Sequence, residues 1–281
     1  MGNVRIITDS TADLPQELIE ALDIIVVPLK VSFGNDIYRD GVDISSDEFI
    51  SRLKKEDSLP ITSQPSPGEF VAIYEQLTSM GDTVISIHIS SQLSGTVQSA
   101  KTAMAMIDSR NVYVIDSASA SMGLGLIVLA AAKAAKEGAS VRKILNIVDE
   151  RIDKSFIIFM VETLEYLEKG GRIGKAGSFL GSLLKIKPIL TLKDGMVVPL
   201  EKARGEGRAI ERMAEIIKDK TGGTKKYNYS LVYGSNYASL MRLREKIMPD
   251  CNLQAPIIAK LGSVIMSHTG PEVIGISICP K

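Results

Sequence analysis

The residues best suited to chemistry cluster in Ser90-Ser91-Gln92-Leu93-Ser94-Gly95-Thr96. Before the cluster, Ile85, Ile87 and Ile89 alternate with Ser86, His88 and Ser90, which predicts a strand. After it, Val97, Ala100, Met104 and Ile107 recur at helical spacing. A strand that turns into a helix through Ser-Gly-Thr leaves backbone N–H groups free at a positive dipole end. Such a terminus suits an anion. The hydroxyls of Ser91, Ser94 and Thr96 add donors, and Gly95 lets a ligand approach the backbone closely. An ordinary helix cap uses the same residue types, so this stretch alone supports both readings.

Hydrolysis is the sharper alternative. The chain has two histidines, His88 and His268. Ser94, His268 and an acid such as Asp116 or Asp9 have the residue types of a serine-dependent acyl hydrolase, although no Gly-x-Ser-x-Gly elbow is present. His88 lies inside a strand pattern and reads as structural. His268 lies in the polar run His268-Thr269-Gly270-Pro271, read as a loop, where structural and functional roles stand equally. Gly170 to Ala176 superficially resembles a phosphate-binding loop, but Ala176 stands where Ser or Thr would hold Mg²⁺. Gly123-x-Gly125 lacks a third glycine. No His, Cys or carboxylate cluster has metal-ligand spacing. Arg172 and Arg204 sit in glycine-containing turns, either as solvated charges or as bidentate partners for a carboxylate or phosphate.

The elements that would position these residues follow from the patterning. The chain has 281 residues, is 45% hydrophobic and 23% charged, and balances 33 Lys and Arg against 33 Asp and Glu. That is a globular composition with a sizeable core, without a global basic field for nucleic acid. Val4–Thr8 reads as a strand rather than a signal peptide. The apolar run from Met122 to Ala132 is too short to span a bilayer. A cytoplasmic protein with free Cys251 and Cys279 thiols is expected.

Strands at Val4–Thr8, Ile24–Phe33, Ile85–Ile89 and Val112–Ile115 alternate with helices. Asp13, Ser45 with Glu48, and Ser66 with Glu69 are placed as caps. This pattern predicts a parallel, Rossmann-like sheet with helices on its faces. The hydroxyl-rich turns at Ser10-Thr11, Ser90–Thr96 and Ser117–Ser119 should meet beyond the strand ends, joined by an exposed loop at Thr62-Ser63-Gln64. The second half differs. Pro188–Leu192 and Met196–Leu200 form a hairpin across Asp194-Gly195, which suggests a mixed or antiparallel sheet. Two domains are expected, residues 1–160 and 161–281, the second carrying Arg172, Arg204 and His268.

Six segments together resemble the DegV family. They are Ile7 to Pro15, Thr62 to Gly68, Ser90 to Thr96, Lys169 to Gly174, Gly205 to Arg208, and His268 to Pro271. The resemblance implies a two-domain α/β protein that buries a long-chain fatty acid. It implies a non-enzymatic subunit that presents the acid to a separate ATP-binding fatty acid kinase subunit for acyl-phosphate formation. No cofactor or metal is expected, and peripheral membrane contact would serve lipid exchange. By the same resemblance, Thr62, Ser94, Gly95 and His268 hold the carboxylate. Ser117, Ala118, Met122 and Thr96 lie near the head group or acyl slot, and Arg172 and Arg204 lie near the head group and the kinase-docking face. Ala120, Leu124, Leu126 and Ile127 are further candidates to line the slot, though each also reads as plain core. Glu272 departs from the small residue expected after His-Thr-Gly-Pro, and a carboxylate there is expected either to weaken the alignment of His268 or to raise its proton affinity.

Overall fold

The computed structural model describes residues 2–56, 58–181, 186–222, 226–251 and 256–281. In chain order the elements are β1 (Val4–Asp9), α1 (Gln16–Ala21), β2 (Ile25–Val27), β3 (Lys30–Phe33), β4 (Asp36–Arg39), α2 (Ser46–Leu53), β5 (Ile61–Ser63), α3 (Pro67–Ser79), β6 (Thr83–His88), α4 (Thr96–Met106), β7 (Val112–Asp116), α5 (Met122–Lys136) and α6 (Val141–Lys154). They continue with β8 (Phe156–Met160), α7 (Glu165–Lys169), β9 (Ile186–Lys193), β10 (Met196–Arg204), α8 (Glu206–Thr221), β11 (Tyr227–Tyr233), α9 (Tyr237–Cys251), β12 (Ile257–Lys260), α10 (Ser263–Thr269) and β13 (Ile274–Pro280).

The strands form a parallel sheet in the order β2-β1-β6-β7, a small antiparallel sheet β4-β3-β5, and a mixed sheet β10-β9-β8-β13-β11-β12. The expected α/β architecture with a parallel first sheet and a mixed second sheet is present. From β1 the first sheet extends one way to β2 and the other way to β6, so its switch point opens between the carboxyl ends of β1 and β6. Ligand crevices form at such points. Among the described residues, no helix is long and apolar enough to cross a membrane, and no group of three His, Cys, Asp or Glu could hold a metal ion. Cys279 is a buried free thiol; the Cys251 side chain lies outside the described residues.

Several local expectations hold because the capping chemistry is complete. Ser45 with Glu48 and Ser66 with Glu69 both form reciprocal capping boxes, and Pro67 opens α3. Others are corrected. Asp13 does not cap α1: it takes a left-handed conformation after a short 3-10 turn, and α1 starts behind Pro15 without a side-chain cap. Ile24–Phe33 is two strands, because Pro28 has no N–H for a ladder and the chain crosses there from the parallel sheet to the small one. Thr62 is not in an exposed loop: β5 pairs with β3, placing Thr62 opposite Val31. His268 is in α10 rather than a loop.

Helix α5 joins the two larger sheets. It packs on β1 and β6 on one side and on β11 and β13 on the other. Its residues are accordingly apolar all round, and most are fully buried. Small residues permit the close approach. A Cβ on Gly125 would lie 2.7 Å from the Ala12 carbonyl oxygen and 2.9 Å from the Met122 sulfur. Gly125→Ala should gain about 1 kcal/mol of helix propensity and lose about 1–3 kcal/mol to overpacking. Because backbone must move, the loss should win and the melting temperature should fall by a few degrees in calorimetry. A rise would show that α5 has room to shift.

Candidate functional site

One cavity lies between the sheets, next to the switch point. Counting its open mouth it encloses about 860 Å³. The first half of the chain supplies Leu29, Thr62, Ser63, Gln64, Ile89, Leu93, Ser94, Ala120 and Ser121. The second supplies Ile157 and Phe159 from β8, Leu167, Arg172, Leu192, Val197, Val232, Leu261, Val264, Ile265, His268, Thr269 and Val273. Strand periodicity sorts β8: Ile157 and Phe159 face the cavity, while Ile158 and Met160 pack into the core beneath α8 and α9. The walls are mainly aliphatic. The polar exceptions are Thr62, Ser63, Gln64, Ser94, Ser121, Arg172, His268 and Thr269.

At the polar groups, two short bonds set the geometry. Thr62 Oγ1 lies 2.8 Å from His268 Nε2. Ser94 Oγ lies 2.9 Å from Thr96 Oγ1 and accepts the Thr96 N–H at 3.3 Å, at the start of α4. Arg172 Nε donates to the Leu93 carbonyl at 3.0 Å, and Nη1 donates to the Gly170 carbonyl at 2.7 Å. Arg172 therefore braces the Ser94 turn, and among the described residues its partners are carbonyls rather than a carboxylate.

His268 is neutral at physiological pH. Burial and the neighbouring Arg172 charge pull its ring down to about 4. Its Nδ1 is buried and has no hydrogen-bond partner among the described residues. Gly170 lies against that edge, where a Cβ would overlap Nδ1. Of the two alternatives for Glu272, the raised proton affinity of His268 is overturned: the Glu272 side chain is exposed, and His268 moves down rather than up.

The hydrolase constellation is not assembled. His268 has Thr62 as its partner, not Ser94. Asp9 is bound to His88 Nδ1 at 2.9 Å, and Asp116 accepts the amides of Ser91 and Ala118. His88 in turn meets Ser86 Oγ at 2.7 Å, which also accepts from Tyr74. This Asp9-His88-Ser86-Tyr74 chain is wholly buried and lines no part of the cavity. His88 is thus structural, as its strand setting predicts.

Of the residues singled out from the sequence, Thr62, Ser94, Arg172 and His268 meet at the cavity. Gly95 and Thr96 lie just behind Ser94, and Gly95 packs on the Gln64 amide. Ser117, Ala118 and Met122 do not line the cavity, and Met122, Leu124, Leu126 and Ile127 are core. The Ser10-Thr11 turn does not line it either; Ser10 Oγ accepts the Leu29 N–H and Thr11 closes on Asp9. Arg204 is exposed at the end of β10 and lines none of it. Arg172, grouped above with Arg204 near the head group and the kinase-docking face, lies in the cavity wall. Ser63, Gln64, Ser121 and Thr269 were missed. Gln64 had a signal, since Pro65 holds it extended beside Thr62.

The fold and cavity define a three-sheet α/β protein with an aliphatic cavity whose polar groups gather beside the switch point of its parallel sheet. Residues 3–281 match the profile of the DegV family of uncharacterised proteins. The chain belongs to the DegV family. It is 39% identical to a DegV domain-containing protein of Halalkalibacterium halodurans over 99% of this chain and 98% of that one. A DegV family protein from Thermus thermophilus, described as binding fatty acid, superposes with a TM-score of 0.94 at 38% identity, covering 99% of this chain and 100% of the other. A stearic-acid-binding protein from Eubacterium ventriosum superposes with a TM-score of 0.92 at 28% identity, covering 99% and 98%.

The neutral histidine has a testable pH signature. The folded ring titrates at about 4 and the unfolded ring at about 6.5. The unfolded chain therefore binds the extra proton, and the stability contributed above pH 6.5 is lost on acidification through 4. The loss between pH 7 and pH 5 should be about 2 kcal/mol and absent from His268→Gln, measured by urea unfolding. An NMR midpoint near 6.5 for the ring would contradict the assignment.

Proposed function

We propose that the cavity holds a long-chain fatty acid. The acyl chain lies along the aliphatic wall, and the carboxylate meets Thr62, Ser94 and the Gly95 amide beside the start of α4. The observation that carries this reading is the Thr62–His268 bond beside Arg172 in an otherwise aliphatic cavity. A neutral His268 that donates Nε2–H to Thr62 Oγ1 leaves the Thr62 hydroxyl free to donate to the carboxylate. Ser94, which accepts the Thr96 amide, has its own proton to give. Arg172 contributes positive charge at short range. The fatty-acid-binding relatives from Thermus thermophilus and Eubacterium ventriosum support the ligand class.

The magnitudes divide the work. Each buried methylene contributes about 0.8 kcal/mol, so about fifteen give roughly 12 kcal/mol before association and ordering costs. The hydroxyls contribute about 1–3 kcal/mol each. The chain thus supplies most of the affinity, and Thr62 and Ser94 orient the head.

In this reading the protein is a carrier and not an enzyme. A separate subunit brings ATP and phosphorylates the carboxylate. The glycine turn that resembles a phosphate loop supports this division: Gly170 packs on His268 and Arg172 braces the Ser94 turn, so the turn builds the cavity. Arg204, exposed on β10, is the candidate for the kinase-facing surface. Exchange of lipid at a membrane from the cytoplasmic side belongs to the same proposal. Exposed Ile37 and Ile61, aligned across Ser32, support it.

Native mass spectrometry of the purified protein should show one fatty acid per chain. Thr62→Ala with Ser94→Ala should weaken stearate binding about tenfold or more while changing stearyl alcohol binding little. A wild-type protein that is empty and takes up no added stearate would overturn the carrier reading. Covalent labelling of Ser94 by a fluorophosphonate would instead favour acyl hydrolysis.

A further inference from the structure

Helix α10 carries His268 but begins on the far side of the ring, at Gly262. It has seven residues, too few to hold together by propensity alone. Its first amides need acceptors, and two aspartates from the other half of the chain supply them. Asp13 Oδ1 accepts the Gly262 N–H at 2.8 Å. Asp40 Oδ1 accepts the Ser263 N–H at 2.8 Å and the Ser263 hydroxyl at 2.5 Å. The two carboxyl groups take the amides of two consecutive residues, Gly262 and Ser263. A Cβ on Gly262 would lie 3.0 Å from Asp40 Oδ2 and 3.1 Å from Asp13 Oδ1. The second Asp13 oxygen accepts the Ser121 hydroxyl at 2.5 Å, and Ser121 lines the cavity.

A plain capping role does not account for this. Elsewhere in the chain single serines, Ser45, Ser66 and Ser140, start exposed helices. At α10 two ionisable groups do so while almost fully buried, at 8% and 3% exposure. Burial of a carboxylate opposes folding. It pushes Asp13 up to about 8 and raises Asp40 as well. The helix they hold packs on α2, β3 and β5 of the first half, and β5 carries Thr62. A shift of α10 by a fraction of a turn would take His268 out of reach of Thr62.

We propose that Asp13 and Asp40 are positioning residues for His268: they fix the seat of α10 so that the ring meets Thr62, and through Ser121 they tie that seat to the cavity wall. The inference deepens the fatty-acid reading and rests on it for the ligand used.

The test compares stearate with stearyl alcohol in Asp40→Ala and Asp13→Asn, each alone and with His268→Ala. Asp40→Ala should weaken stearate about tenfold and the alcohol less than twofold. In the His268→Ala background it should weaken stearate no further. Asp13→Asn keeps an acceptor for Gly262 and should stay within twofold of wild type, whereas Asp13→Ala should resemble Asp40→Ala. Equal losses for acid and alcohol, or an unchanged Asp40→Ala effect without His268, would reduce the pair to a structural role and overturn the proposal. If Asp40→Ala does not fold, Ser263→Ala removes one bond to Asp40 and should give a several-fold, acid-specific loss; no loss overturns the proposal equally. A second readout needs no ligand. In the unliganded protein the His268 ring should titrate nearer 6.5 in Asp40→Ala than in wild type, and an unmoved midpoint counts against positioning. If wild type binds neither lipid, the carrier reading fails while this NMR comparison still decides the positioning role.

Discussion

The structure depends on one spacing constraint: two sheets must come close enough to share a core yet leave a slot between them. Helix α5 sets that distance. Its glycines and alanines let it lie against β1 and β6 on one side and β11 and β13 on the other. A helix of larger side chains would hold the sheets further apart and leave the aliphatic wall incomplete. The buried cluster accordingly runs through both halves, from Ile85 and Ile87 on β6 to Phe159 on β8 and Val232 on β11. The cavity is a gap in that common core and not a cleft between independent bodies.

A second constraint concerns charge. The carboxyl ends of a parallel sheet are rich in acids here, yet none faces the cavity. Asp9 is taken by His88 and the Ile89 amide, Asp116 by the Ser91 and Ala118 amides, and Asp13 and Asp40 by the start of α10. Arg172 remains, held on two carbonyls, with a histidine it helps to keep neutral. The local field therefore favours an anion, and the neutral histidine can direct a hydroxyl without adding a second charge that would require further compensation.

The sequence made the scaffold legible where local chemistry decides. Capping boxes, the hairpin at Asp194-Gly195 and the strand–turn–helix at Ser94 could be read directly, and so could Ser94 and His268 as candidates, whereas Thr62 entered as a candidate through the family resemblance. Local rules failed where tertiary pairing overrode them. Thr62 sits on a strand because β3 lies beside it, and His268 is helical because two distant aspartates cap α10. Arg172 reads as a surface charge until Leu93 is brought next to it, a partner 79 positions away. The aliphatic wall had no signature at all, since Phe159 or Val232 carries the same pattern whether it faces a cavity or solid core.

The separate motifs make sense as complementary surfaces. The Gly170-Gly171-Arg172 turn fits the His268 segment because Gly170 has no side chain where the ring lies and Arg172 reaches the Ser94 turn. Gly95 lacks a side chain where Gln64 packs, which draws β5 onto the start of α4. Gly270, at positive φ, lies against the Tyr166 ring just before the same turn. Each glycine is thus the counterpart of a bulky residue in another motif. A substitution at any one would act on a side chain tens of residues away, so the segments around Thr62, Ser94, Arg172 and His268 pack as one cluster at the cavity.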